Sequence, residues 1–230
     1  MGGQACILYG AAEFSRDLDL AILASPANLS CLRSALTELE AEVIAVPPFE
    51  AKYLRRGHAA RFRCRAPEVS GLRVDVMTKM RGVAAFSKLW QRRVTLRADD
   101  GTAYEVMSLP DLVKAKKTQR DQDWPMIRRL VEADYFKERD QPTKQRTQFW
   151  LLELRTPPLL IELAVAQRAL CRQLLKRRPL LKFAVASDQV GLDEALKQEE
   201  GAERETDRQY WKPLRAELEQ LRHARLRTEY

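Results

Sequence analysis

Over roughly the first hundred residues the apolar positions fall in short runs that alternate with polar ones or carry β-branched side chains. These are "LDLAILA" (18–24), "AEVIAV" (41–46), "ARFRCRA" (60–66), "LRVDVMT" (72–78) and "AYEVMS" (103–108), bounded by Pro, Gly or Asp. The pattern predicts five strands. Between the first two, Leu29, Leu32, Leu36 and Leu39 recur at helical spacing in "NLSCLRSALTELEAE", so a helix links them. After residue 108 the apolar period becomes that of a helix and stays so. Ser108, followed by Pro110 and Asp111, predicts the start of a helix over "LPDLVKAKKTQR", with Ser108 accepting from the Asp111 backbone N–H. Further helices are predicted at 125–138, 145–155, 158–177, 189–199 and 203–226, with breaks at "TPP" and "RRP". The expectation is an α/β (α+β) front half followed by an all-helical back half.

With 230 residues, 45% of them hydrophobic, the chain suffices for one large domain or two small ones with real cores. Its longest apolar stretch, "PPLLIELAVA", is shorter than a bilayer span and carries Glu162, and the first residues lack the charged-then-apolar pattern of a secretory leader. A cytoplasmic protein with no membrane partner is expected. Cys6, Cys31, Cys64 and Cys171 are scattered, and only His58 and His223 could join them as ligands, so reduced and mostly buried thiols are expected rather than a disulfide framework or a zinc site. The net charge of +8 permits an anionic partner such as a nucleotide or RNA without specifying one.

The sharpest feature is "SRDLDLAI". Side chains two apart on a strand point the same way, so Asp17 and Asp19 share one face about 7 Å apart along the strand. Like charges that close repel unless a cation sits between them; the alternative is an Asp pair at the strand's solvent edge, or Asp17 as a turn residue with Asp19 paired to Arg16 or Arg73. Asp75 sits in the middle of "LRVDVMT", opposite in direction to Val74 and Val76, where a carboxylate needs a partner. Upstream, Gly2 and Gly3 precede a short helical run, "QACILYG", whose free N–H groups can donate to an anion. Carboxylates for a hard metal beside a glycine turn for phosphate are the ingredients of phosphoryl transfer.

These residues resemble the signature of the nucleotidyltransferase superfamily with the polymerase-beta-like fold: a glycine pair, a spacer, Asp-apolar-Asp, and a third acid on a later strand. Here Gly2 and Gly3 stand for the pair, thirteen residues separate Gly3 from Asp17, and Asp75 stands for the third acid. "FSRDLDLAI" and "SLPDLVKAKKTQRDQDWPMI" are similar to stretches of bacterial members of the abortive-infection and antitoxin type, and the likeness spans about residues 2–130. The resemblance implies a small mixed sheet with helices packed on it, in a nucleotidyltransferase domain over 1–123, and a C-terminal helical region over 124–230. It further implies Asp17, Asp19 and Asp75 as catalytic metal ligands for two Mg²⁺ ions, which Mn²⁺ can replace. Family members carry an apolar strand before the glycine pair, whereas Gly2 here follows Met1 directly. If that strand is missing, a sheet edge along "LDLAIL" is expected to lie open.

In similar proteins a lysine on the helix after the sheet contacts nucleotide phosphates. Lys114, Lys117 and Arg120 share roughly one face of "LPDLVKAKKTQR", so Lys114 and Lys117 are nucleotide-binding candidates, with a solvated basic face as the alternative. Ser15 can donate to a phosphate, and Arg16 can pair with it or with a neighbouring acid. His58, in "RRGHAAR", is expected in a surface loop. "RQLLKRRP" is expected to be a favourable charge cluster at a helix end or an RNA-tracking patch, and Leu214, Leu218 and Leu221 core or a docking seam. The implied activity is transfer of a nucleoside monophosphate from a nucleoside triphosphate to a hydroxyl of RNA, protein or a small molecule, in a toxin–antitoxin or phage-defence setting with a cognate toxin or antitoxin. The rival is a non-catalytic antitoxin module on the same fold that binds nucleotide, RNA or a partner protein.

Overall fold

The computed structural model describes residues 1–228. The chain divides into two units, one comprising Met1–Ala115 with the segment from Arg208 onward, the other Lys116–Asp207.

The first unit is α+β. A short helix α1 (Gly2–Leu8) leads to strand β1 (Asp17–Ala21), followed by α2 (Pro26–Glu38), β2 (Glu42–Val43), α3 (Ala51–Arg56), β3 (Ala60–Arg63) and β4 (Arg73–Met77). Helix α4 (Phe86–Arg92), the hairpin β5 (Val94–Arg97) and β6 (Ala103–Val106), and α5 (Leu109–Lys116) complete it. Helix α2 begins two residues before "NLSCL", because the Ser25 hydroxyl accepts from the Asn28 N–H and Pro26 occupies the first turn, where its missing N–H costs nothing. Strand β5 was not predicted from the pattern; it exists as the partner of β6.

The sheet is mixed, in the order β1-β4-β3-β2, with β1 parallel to β4 and the other pairs antiparallel. A parallel pair needs a long crossover, and here α2, β2, α3 and β3 all lie within it. Strand alternation splits the sheet into two chemically different faces. Ala60, Phe62, Val74 and Val76 point to one side, where with Leu29 and Leu36 of α2 and Leu54 of α3 they form the buried core. Val76 is fully buried, and loss of such a side chain costs ~2–4 kcal/mol. Asp17, Asp19, Arg61, Arg73 and Asp75 take the alternate positions. Strand β1 is an edge strand, and the Met1 nitrogen donates to the Asp19 carbonyl at 2.9 Å.

The second unit is helical: α6 (Asp123–Glu138), α7 (Lys144–Glu153), α8 (Pro157–Ala166), α9 (Arg168–Leu174), α10 (Leu181–Val185) and the first part of α11 (Gln189–Thr228). Ile127, Leu130, Trp150, Leu151, Leu160 and Leu181 form its buried interior. The helix predicted over 158–177 is interrupted at Gln167, whose φ of −119° and ψ of 40° leave the helical region. Conversely, the helices predicted at 189–199 and 203–226 are one, running through Gly201 and Pro213. A mid-helix glycine costs only about 1 kcal/mol and proline about 3, which burial of Leu192, Leu196 and Leu214 along the same helix offsets.

Three further expectations change. His58 is not in a surface loop: it is 1% exposed, its Nε2 lies 2.8 Å from Glu217 Oε2, and the Tyr53 ring meets it edge-on. Arg56 also pairs with Glu217, so α11 supplies a hydrogen-bond partner for the buried ring and an anion for Arg56. Arg178, in the basic "RQLLKRRP", is likewise buried, bonded to Glu199 and to the Leu151 carbonyl. Ser108 does not cap by accepting from Asp111; its hydroxyl donates to the Asp111 carboxylate at 2.8 Å. That carboxylate is buried and also takes two bonds from Arg92, at 2.8 and 2.9 Å, so its own need for donors decides the geometry. Three of the four cysteines are buried and none is in a disulfide; Cys31 is exposed. No helix among the described residues is long and apolar enough to cross a membrane.

Candidate functional site

Asp17 and Asp19 lie on β1 and Asp75 on β4, its parallel neighbour. Asp19 is directly opposite Asp75, and Asp17 is opposite Arg73. On the far side of β4, Arg61 of β3 is opposite Asp75. Asp17, Asp19 and Asp75 therefore interleave with Arg61 and Arg73 on one sheet face, and Arg63, opposite Arg73, lies on it too. The pairs are loose: Arg73 Nη1 lies 3.6 Å from Asp17 Oδ2, and Arg61 Nε lies 3.5 Å from Asp75 Oδ2. The other oxygen of each acid, Asp17 Oδ1 and Asp75 Oδ1, is buried with no hydrogen-bond partner, as are Arg73 Nε and the nearby Thr78 hydroxyl.

The Asp75 carboxyl is pushed above the ordinary carboxylate range. Burial is the largest cause; Asp19 and Asp17 add to it, while Arg61 and Arg73 oppose it.

Gly2 and Gly3 are explained by close approach. A Cβ on Gly2 would fall 1.7 Å from Asp19 Oδ2, and one on Gly3 would fall 2.3 Å from the Ser15 hydroxyl. Gly2 also has φ +66°, which a side chain rarely adopts. With the side chains absent, the Gly3 N–H faces Asp19 Oδ2 at 3.4 Å. Ser15 turns inward, donating from its hydroxyl to the Asp17 carbonyl at 3.1 Å. Arg16 is exposed.

The basic candidates diverge. Helix α5 ends at Lys116, so Lys117 and Arg120 lie beyond it and the three do not form one helical face. Lys114 is exposed and, with Gly82, Lys88, Arg92 and Ser108, lines an open groove of about 710 Å³ in the first unit. Lys117 belongs to the helical unit, where its ammonium meets Glu153 at 2.8 Å. Arg120 and Lys116 are bound to Asp123 at 2.8 and 3.1 Å, and Thr118 also donates to it. Burial alone would raise the Asp123 carboxyl, but Lys116, Thr118 and Arg120 outweigh it and hold that group below its ordinary range. Asp121 pairs with Arg204.

Arg61 is the site residue that local reasoning did not assign; Arg73, expected as a partner for Asp19, stands opposite Asp17 instead. The alternation of "ARFRCRA" puts Arg61 on the polar face, but its pairing with Asp75 depends on which strand neighbours which.

The donor set is all hard oxygen, and one buried oxygen each of Asp17 and Asp75 has no hydrogen-bond partner, a chemistry suited to a divalent cation. As the side chains stand, no three acids, cysteines or histidines among the described residues converge on one point; the arginines stand at the carboxylates instead. No family model matches the chain, and no curated protein matches it.

Proposed function

We propose that this chain is a metal-dependent nucleotidyltransferase of the polymerase-beta-like kind. The observation that carries the reading is the placement of Asp17, Asp19 and Asp75 on one face of adjacent parallel strands, with a buried, unpartnered oxygen on Asp17 and on Asp75. Burying a carboxylate oxygen without a donor costs on the order of 1–3 kcal/mol, which a bound cation would recover. Mg²⁺ or Mn²⁺ held there would neutralise a triphosphate and activate an acceptor hydroxyl for in-line displacement of pyrophosphate. In this reading Asp17 and Asp19 hold the cation that takes the triphosphate, and Asp75 serves the acceptor side. Gly2 and Gly3 allow the backbone to pass beside Asp19, which orients that carboxylate. Lys114, on a groove that none of the three acids lines, would be the lysine that meets phosphate.

One observation favours the rival, a nucleotide- or partner-binding module without transfer: Arg61 and Arg73 already neutralise two of the acids. Melting curves of the parent chain with and without Mg²⁺ and each nucleoside triphosphate, followed by an assay for pyrophosphate, separate the readings. Mg²⁺-dependent stabilisation with pyrophosphate release supports the transferase. Stabilisation without release supports the module. No response to any triphosphate overturns the transferase.

A further inference from the structure

The arginines of the candidate site differ from Arg92, Arg120, Arg155 and Arg178, which hold buried or partly buried acids elsewhere in the chain. In these structural pairs a guanidinium lies within hydrogen-bond distance of its carboxylate: Arg92 grips Asp111 with two bonds at 2.8 and 2.9 Å, Arg178 grips Glu199 with two at 3.0 Å, and Arg120 and Arg155 hold Asp123 and Glu199 with one each at 2.8 and 2.7 Å. Arg61 and Arg73 instead each meet one carboxylate oxygen at 3.5–3.6 Å, outside hydrogen-bond distance, and leave the second oxygen bare. Their place is nevertheless set by the backbone, since each is the cross-strand partner of the acid it faces. Positive charge is thus held beside the acids without committing their lone pairs. Arg73 Nε, itself buried and unpartnered, retains a donor for another acceptor.

We propose, building on the transferase reading, that Arg61 and Arg73 are exchangeable counter-cations. They release Asp75 and Asp17 to a divalent cation, and Arg73 then donates from Nε to an oxygen of the incoming polyphosphate. Arg61 sets cation affinity alone; Arg73 sets cation affinity and polyphosphate affinity in opposite directions. A guanidinium acting only as a strut between strands predicts no such opposition.

The test is calorimetric titration of the full chain with Mn²⁺ alone, and with Mn²⁺ and a non-hydrolysable nucleoside triphosphate, for the parent, Arg61→Gln, Arg73→Gln and Arg73→Lys. Loss of one competing charge at this distance, partly screened by solvent, is expected to tighten Mn²⁺ binding about threefold to tenfold in both Gln variants. Arg73→Gln is expected to weaken triphosphate binding about tenfold, as loss of a charge-assisted bond does, while Arg61→Gln leaves it unchanged. Arg73→Lys keeps the charge but not the Nε donor, so it should bind Mn²⁺ like the parent and triphosphate more weakly. It also keeps the test decisive if Arg73→Gln fails to fold. Parental binding with no opposite shifts in the variants overturns this inference and leaves the transferase reading standing. A parent that binds neither Mn²⁺ nor triphosphate at millimolar concentration overturns both.

Discussion

Asp19 of β1 and Asp75 of β4 are register partners in a parallel ladder, so two carboxylates stand side by side on the same face of the sheet. Cross-strand neighbours of like charge destabilise a sheet. The cost is concentrated on Asp75, the more enclosed of the acids paired with arginine, at 13% side-chain exposure against 35% for Asp17.

The first prediction follows from the raised Asp75 carboxyl. The unfolded chain releases this proton near the ordinary value of 3.8, the folded chain only at higher pH. Between those points the folded state binds more protons, so the group's contribution to stability declines as pH rises through that window and stays lost at neutrality. Asp75→Asn removes the loss, and its former partner Arg61 is half exposed and needs little compensation. Melting at pH 7 without metal is expected to rise by about 1–3 °C, with the gain vanishing below pH 4. A fall in melting temperature at pH 7 would show that the Arg61 pair, not repulsion, dominates.

Gly2→Ala tests whether Asp19 is oriented by the glycine backbone. The added methyl carbon would overlap Asp19 Oδ2, and φ of +66° is strained for alanine. Stability should fall by ~1 kcal/mol, while Mn²⁺ affinity falls about tenfold, the usual scale when a metal ligand loses its supporting shell. Unchanged Mn²⁺ affinity measured by titration would separate Asp19 from metal binding.

In the helical unit, Glu199 lies between Arg155 and Arg178, which are 7% and 3% exposed. Burial works to raise the Glu199 carboxyl, but Arg178 and Arg155 overcome it and hold the group below its ordinary range. Glu199→Gln leaves two buried guanidiniums without their shared anion, at a cost of about 3–5 kcal/mol. Urea unfolding should show a lower midpoint at unchanged slope. A midpoint within error of the parent would mean that water reaches the arginines.

Glu217 is held below its ordinary range chiefly by the bond from His58, with Arg56 helping. A depressed carboxylate contributes stability above its unfolded value of 4.5 and loses it as pH falls through the folded value. The parent should therefore soften on acidification below pH 4.5, and Glu217→Gln should melt lower at pH 6 yet show a flatter dependence between pH 5 and 3. Parallel curves for the two proteins would remove Glu217 from acid unfolding.

The sheet's two faces were legible without coordinates. In "LRVDVMT" a period of two places Val74 and Val76 opposite Asp75, and the observed burial alternates accordingly. The recurrence of Leu29 and Leu36 likewise defined the buried side of α2. Both follow from geometry within a single element, which any window of ten residues contains. Element ends were less legible: α5 stops at Lys116 because Lys116, Thr118 and Arg120 turn to satisfy Asp123, a competition that helical periodicity does not register.

Tertiary structure alone decided the partners. Nothing local to Arg61 indicates that it will stand opposite Asp75, since that needs β3 to pair with β4 rather than with β1. "RRGHAAR" reads as a solvated loop, and His58 is buried where Glu217, 159 residues away, arrives on α11 to bond its ring. A side chain's direction along its own strand or helix is local stereochemistry; the group it meets depends on which faces pack together, and that is a property of the whole folded chain.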